Sequence, residues 1–159
     1  PLHGGANQKV ILMLEEMGSK DNARAWLEER LSKKQVVWGM GHREYSTKDP
    51  RANILTEMVK DLFKEQSGKV SDMFEKAMEL EKACEEKLAK KGVYANVDFY
   101  SGILYKEIGI PVDLFTPIFA ISRTSGWLAH WIEQVSNNKI FRPTQIYTGY
   151  DNRKYNSDN

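Results

Sequence analysis

Apolar residues return every three or four positions along most of this 159-residue chain, and that spacing is the strongest limit on what it can fold into. A period of 3.6 places such residues on one face of a helix, whereas a half-buried strand needs strict alternation. Over 7–17, Val10, Ile11, Met13, Leu14 and Met17 share a face, and Gly18 is a natural stop. Ala23, Trp26, Leu27 and Leu31 repeat the pattern over 21–31. Asp49-Pro50 predicts another start, because Asp can cap and Pro is tolerated at the first helical position. Ile54, Leu55, Met58, Val59, Leu62 and Phe63 form the stripe of the helix that follows. The longest expected helix covers 69–91, with Val70, Met73, Phe74, Ala77, Met78, Leu80, Cys84 and Leu88 opposite a solvated face rich in Glu and Lys. A shorter one is expected over 98–108, ending at Gly109-Ile110-Pro111, and Thr116-Pro117 opens a last one reaching about residue 135. Residues 139–149 are β-branched and interrupted by Pro143, which predicts an extended arm or short strand, and the polar end is expected to fray. No internal repeat and no alternation of strands with helices is visible. The predicted fold class is all-α.

Composition narrows the function classes. Apolar residues make up 41% and charged residues 28%, the balance of a soluble globular protein. A net charge of +1 gives no bulk electrostatic reason to expect nucleic acid or a membrane surface as partner. No apolar run approaches the length of a membrane span. The single cysteine, Cys84, rules out an internal disulfide and fits a reducing compartment. Set among charged helix formers, it is expected to be a helix-face residue rather than a nucleophile. Pro1-Leu2-His3-Gly4-Gly5 carries no initiator methionine, basic leader or apolar signal region, so the chain is expected to be a piece of something larger.

Few residues could do chemistry. Of three histidines, His3 and His42 stand beside glycines, in His3-Gly4-Gly5 and Gly39-Met40-Gly41-His42. Glycine lets backbone approach a ligand and leaves an imidazole uncrowded, although the same context also suits an ordinary turn. Gly41-His42-Arg43 leads through Tyr45 to Asp49-Pro50-Arg51, which puts an arginine at a helix start where anions are favoured. Composition alone favours reading Arg43 and Arg51 as surface charges. Asp98 precedes or opens a helix, and its local context favours an N-cap. Arg123 lies within the apolar run Ile118-Phe119-Ala120-Ile121-Ser122, so it is expected to be buried against a protein carboxylate or an anionic ligand. Arg142, before Pro143, is neutral. No metal-ligand spacing and no phosphate-binding glycine loop is present.

Taken together, the segments resemble citrate synthases. The residues that carry the resemblance are Pro1-Leu2-His3-Gly4-Gly5-Ala6-Asn7, Gly41-His42-Arg43 with Asp49-Pro50-Arg51, and Asn96-Val97-Asp98-Phe99-Tyr100-Ser101-Gly102. They continue through Phe115-Thr116-Pro117-Ile118-Phe119-Ala120, Ser122-Arg123, Gly126-Trp127-Leu128-Ala129-His130-Trp131 and Arg142-Pro143. Order and spacing match over almost the whole chain, in wording closer to prokaryotic than to mitochondrial members. The resemblance implies a carboxy-terminal portion of the helical fold. Residues 1–3 would end a large-domain segment, 4–103 would form the small domain, and 104–159 would return into the large domain with an extended arm.

It also implies condensation of acetyl-CoA with oxaloacetate and hydrolysis to citrate and CoA, the first step of the tricarboxylic acid cycle. No cofactor beyond acetyl-CoA as substrate is implied, and no metal. By the family pattern Asp98 is the base, His3 hydrogen-bonds the thioester oxygen, and His42 hydrogen-bonds the oxaloacetate carbonyl. Arg51 and Arg123 match positions that bind oxaloacetate, and Arg142 matches an arginine reaching over from the second subunit of a homodimer. Val36, Val37, Trp38, Gly39, Met40 and Gly41 match the loop that recognises the adenine of CoA, with Asn96 near the pantetheine path. A cytoplasmic location goes with the prokaryotic wording.

Three positions depart from the family pattern: Trp38 where proline is common, Glu44 where an apolar residue is usual, and Ser46 where a basic one is frequent. Two alternatives stay open. A 2-methylcitrate synthase using propionyl-CoA would share every catalytic residue, and one methyl group in a pocket is worth only about 1–3 kcal/mol of discrimination. An isolated helical piece lacking the long segment expected before Pro1 would be inactive and would expose apolar faces.

Overall fold

The computed structural model describes residues 5–66, 70–140, 142, 144, 146 and 148–151. The described residues form six α-helices: α1 (Ala6–Met17), α2 (Ala23–Ser32), α3 (Pro50–Gln66), α4 (Asp72–Leu88), α5 (Val97–Glu107) and α6 (Phe115–Ser136). Short 3-10 turns sit before α2, after α4 and before α6. Among the described residues there is no strand, and the single β-bridge pairs Met40 with Ala95. The described part of 139–149 holds no strand. No helix among the described residues is long and apolar enough to cross a membrane.

The helix ends follow local chemistry. Gly18 terminates α1 at φ 77°, a conformation that favours glycine, and its N–H returns to Glu15 O. The Ser71 hydroxyl accepts from Phe74 N–H and opens α4 at Asp72; Lys69, where this helix was expected to begin, lies outside the described residues. Along α3 the buried set is narrower than the apolar stripe. Ala52, Val59 and Phe63 are buried with Leu55 and Leu62 beside them, while Ile54 and Met58 face solvent. Those two sit about 100° round the helix from Leu55 and Val59, beyond the arc that α5 covers.

The chain divides into two compact units, Pro1–Thr124 and Ser125–Asn159, with α6 running across the division. In the first unit α5 is central and packs on α1 and α3, while α4 packs on α2. Phe99, Tyr100 and Ile103 of α5 are wholly buried, with Val10, Ile11 and Leu14 of α1. At Gly102 a Cβ would stand 2.6 Å from the Asn7 carbonyl oxygen, so the absence of a side chain is what lets α1 and α5 approach there. Cys84 is fully buried on α4 and its thiol is pushed up to about 12 by loss of water, which makes it a packing residue. In the second unit Trp127, Leu128, Trp131, Ile132 and Val135 of α6 are all exposed.

Candidate active site

Two loops meet in front of α5. The segment 36–41 is held at Val36 O by the Arg30 guanidinium (3.1 Å), which also lies over the Trp26 ring. Further along, Gly41 N–H donates to Tyr94 O (2.7 Å) and Asn96 N–H donates to Gly39 O (2.9 Å). Gly39 has φ 78°, and a Cβ there would fall 2.8 Å from the Phe99 Cα. Only glycine satisfies both demands. The backbone thus lies directly on the first turn of α5.

Asn96 caps that helix: its side-chain oxygen accepts from Asp98 N–H (2.9 Å). Its amide donates to Gly41 O (2.8 Å), so both ends of one side chain serve to fix the loop against the helix. The capping role expected for Asp98 therefore belongs to Asn96. The reason is position: Asp98 already lies inside the first turn, half-buried, with its carboxylate near the positive end of the helix.

His42 follows directly. Glu44 N–H and Tyr45 N–H both donate to its Nδ1, at 3.1 and 3.2 Å, and the Tyr45 ring stacks on the imidazole with centroids 4.3 Å apart. An Nδ1 that accepts two hydrogen bonds cannot carry the proton of a neutral imidazole. The proton therefore belongs on Nε2, which is left as a donor. The sequence flagged glycine beside this histidine; the turn that selects its tautomer comes from the residues after it.

Val36, Val37, Trp38, Gly39, Met40, Gly41, His42, Asn96 and Asp98 line one cleft of about 370 Å³ with Ala6 and Arg43. That volume lies within the usual span of small-molecule sites, about 300–1,000 Å³. All of the expected adenine loop, one of the two candidate histidines and the candidate base share it. His3 lies outside the described residues.

Arg51 stands beside this group. Its Nε and Nη2 donate to the two oxygens of Asp49 at 3.0 and 2.7 Å, and its backbone N–H donates to Oδ1 at 2.9 Å. Asp49 is almost wholly buried, and the Arg51 guanidinium holds its carboxyl below the usual range. Asp49 in turn raises Arg51, with smaller contributions from Tyr45 and Asp98, which places the guanidinium near the candidate base. One edge of the fork is fixed by Asp49 and the Nη1 edge remains to grip an anion. Sequence reasoning took Asp49 only as a helix start; its two-residue spacing from Arg51 was the signal for this pair.

Arg123 corrects an expectation. It is exposed on α6, with its guanidinium over the Phe119 ring at 5.0 Å, rather than buried against a carboxylate. The apolar run around it misled because, of the helix, only Phe115 is buried. Arg142 is exposed in the second unit. Arg123 does not line the cleft.

Comparison with known proteins gives one consistent result. The family description "Citrate synthase, C-terminal domain" matches residues 1–144. Citrate synthases of Acidithiobacillus ferridurans and Synechocystis are 54% and 55% identical over 98% of this chain. The chain spans 40% and 38% of the length of those two relatives. Among solved structures, the citrate synthase of Thermotoga maritima superposes with a TM-score of 0.80 at 42% identity. That of Thermoplasma acidophilum, in ternary complex with carboxymethyl coenzyme A and oxaloacetate, does so with 0.82 at 36%. Each covers 98% of this chain and is itself covered over 42%. On the order of its site residues, its helical fold and these likenesses, the chain belongs to the citrate synthase family.

Proposed function

We propose that this chain supplies most of the chemistry for condensing acetyl-CoA with oxaloacetate and hydrolysing the citryl-CoA formed. The observation that carries the proposal is the orientation of His42: two backbone donors occupy Nδ1 and leave Nε2–H to donate, in the cleft that also holds Asp98. A donor and a carboxylate facing one cleft are what a Claisen condensation needs.

The methyl group of a thioester is a very weak carbon acid. The Asp98 carboxylate takes one of its protons while His3 donates a hydrogen bond to the thioester oxygen, where enolate charge collects. The enolate carbon then forms its bond to the oxaloacetate carbonyl carbon. His42 Nε2–H donates to the carbonyl oxygen as it becomes an alkoxide. Water then cleaves the thioester, releasing citrate and the CoA thiol. Arg51 and Arg123 hold the carboxylates of oxaloacetate, joined by Arg142 from the other subunit of a homodimer. Acetyl-CoA lies along 36–41 with its pantetheine arm near Asn96. No further cofactor takes part. Residues 4–103 act as a lid that closes over both substrates and excludes water until hydrolysis. The reaction opens the tricarboxylic acid cycle in the cytoplasm.

The test is release of CoA thiol by the intact protein that contains this chain. Release should require oxaloacetate, and Asp98→Asn should slow it by about 10²–10⁴-fold, the usual worth of a placed base. A rate unchanged in Asp98→Asn would overturn the assignment.

A further inference from the structure

Asp98, His42 and Arg51 hang on two segments far apart in sequence: the first turn of α5, and the stretch from His42 into α3. Backbone joins them where Asp49 N–H donates to Ala95 O at 3.2 Å. A second tie, made of side chains, runs behind the cleft.

Tyr100, two residues after Asp98, is wholly buried, and its hydroxyl donates to Glu81 Oε2 at 2.5 Å. Glu81 belongs to α4, which contributes nothing to the lining of the cleft. The Lys48 ammonium lies 2.6 Å from the other Glu81 oxygen, an ion pair off the line of a hydrogen bond. The same ammonium stands 5.7 Å from the centre of the Tyr100 ring, within cation–π range. Burial and Glu81 push the Tyr100 hydroxyl far up and keep it a donor. One carboxylate thus receives the loop's cation on one oxygen and the helix's hydroxyl on the other.

Stability alone does not explain such a choice. The side chains of Glu81 and Lys48 are only 11% and 26% exposed, and an apolar set of equal volume often holds helices as well as a buried ion pair. What the hydrogen bond from Tyr100 to the Glu81 carboxylate adds is a defined distance and direction, and the Lys48 ion pair ties the loop to that same carboxylate. We infer that Lys48, Glu81 and Tyr100 are positioning residues that set the spacing of the His42–Arg51 stretch from the Asp98 turn. Their effect on turnover rests on the reaction proposed above; their effect on local order does not.

The test uses Lys48→Met and Tyr100→Phe in the intact protein, with Lys48→Arg as the conservative control. Misplacing reacting groups should lower kcat and raise KM for oxaloacetate by about tenfold each in Lys48→Met. KM for acetyl-CoA should move less than about twofold, because segment 36–41 is held by its own bonds to Tyr94 and Asn96. Lys48→Arg should restore most of the loss. The double variant should be no worse than the worse single one, since both act through Glu81. Independently of activity, amide hydrogens over 42–51 should exchange faster in both variants while those of α1 keep their rates. Should Lys48→Met fail to fold, Tyr100→Phe and Lys48→Gln carry the same readouts. Unchanged exchange over 42–51, additive effects, or equal changes in both KM values would overturn the clamp. Faster exchange in a protein that releases no thiol with oxaloacetate would overturn the reaction and leave the clamp standing.

Discussion

Helices α5 and α6 look alike in sequence and end in opposite environments. Both are apolar over much of their length, and both open a short way after a turn. α5 buries Phe99, Tyr100, Ser101, Gly102, Ile103 and Leu104 between its neighbours. α6 buries Phe115 and presents Ile121, Trp127, Leu128, Trp131, Ile132 and Val135 to solvent. The difference teaches that periodicity identifies an apolar face without saying what covers it. Coverage matters for function too. The turn of α5 that bears Asp98 is held from behind by Tyr100 and from the front by Gly39, whereas Arg123 on α6 has an aromatic ring beside it and water around it.

Truncation should separate the two helices most sharply at α5. Phe99 is fully buried, meets Tyr100 edge-to-face at 5.1 Å and lies under Gly39. Phe99→Ala should destabilise the chain by about 3–5 kcal/mol, measured by urea unfolding. A loss below about 1 kcal/mol would mean α5 is not the centre of the first unit.

A smaller effect is expected where loop meets helix at Asp49. Its carboxyl is lowered by Arg51, so the stabilisation is present at neutral pH and is lost as pH falls through the depressed folded value. Asp49→Asn should therefore destabilise by about 1–2 kcal/mol near pH 7, the modest end because Arg51 is half exposed. Below the ordinary carboxyl value of about 4 the gap to the parent should shrink. A gap that stays constant from pH 7 to pH 3 would show that the ionised pair is not its source.

The smallest effect belongs to α6. Trp131 is 63% exposed, and Trp131→Ala should shift the stability of this chain by under about 0.5 kcal/mol. A loss above about 1 kcal/mol would show that its face is covered in solution, and would erase the contrast with α5.

Much of the helical layout was legible in the residues. Gly18, Asp49-Pro50 and Gly109 mark ends because backbone conformation and capping are local. His42 and Asp98, which line one cleft, also stand in recognisable runs. Three things were not legible. Asn96 rather than Asp98 caps α5, a matter of where the first turn begins, and helix boundaries shift by a residue or two without changing the pattern. Ile54 and Met58 belong to the apolar stripe of α3 but lie beyond the arc that a neighbour covers. Arg123 sits in an apolar run that stays open to water.

By itself, then, the sequence determined the all-α class, most of the helix ends and the family, because each depends on short-range pattern. Tertiary structure decided that the Gly39 backbone lies on the first turn of α5, and that Lys48, Glu81 and Tyr100 meet behind the cleft. A close backbone approach, an ion pair and a buried carboxylate each need partners brought together in space. Spacing along the chain constrains such partners only when they share one helix or one loop.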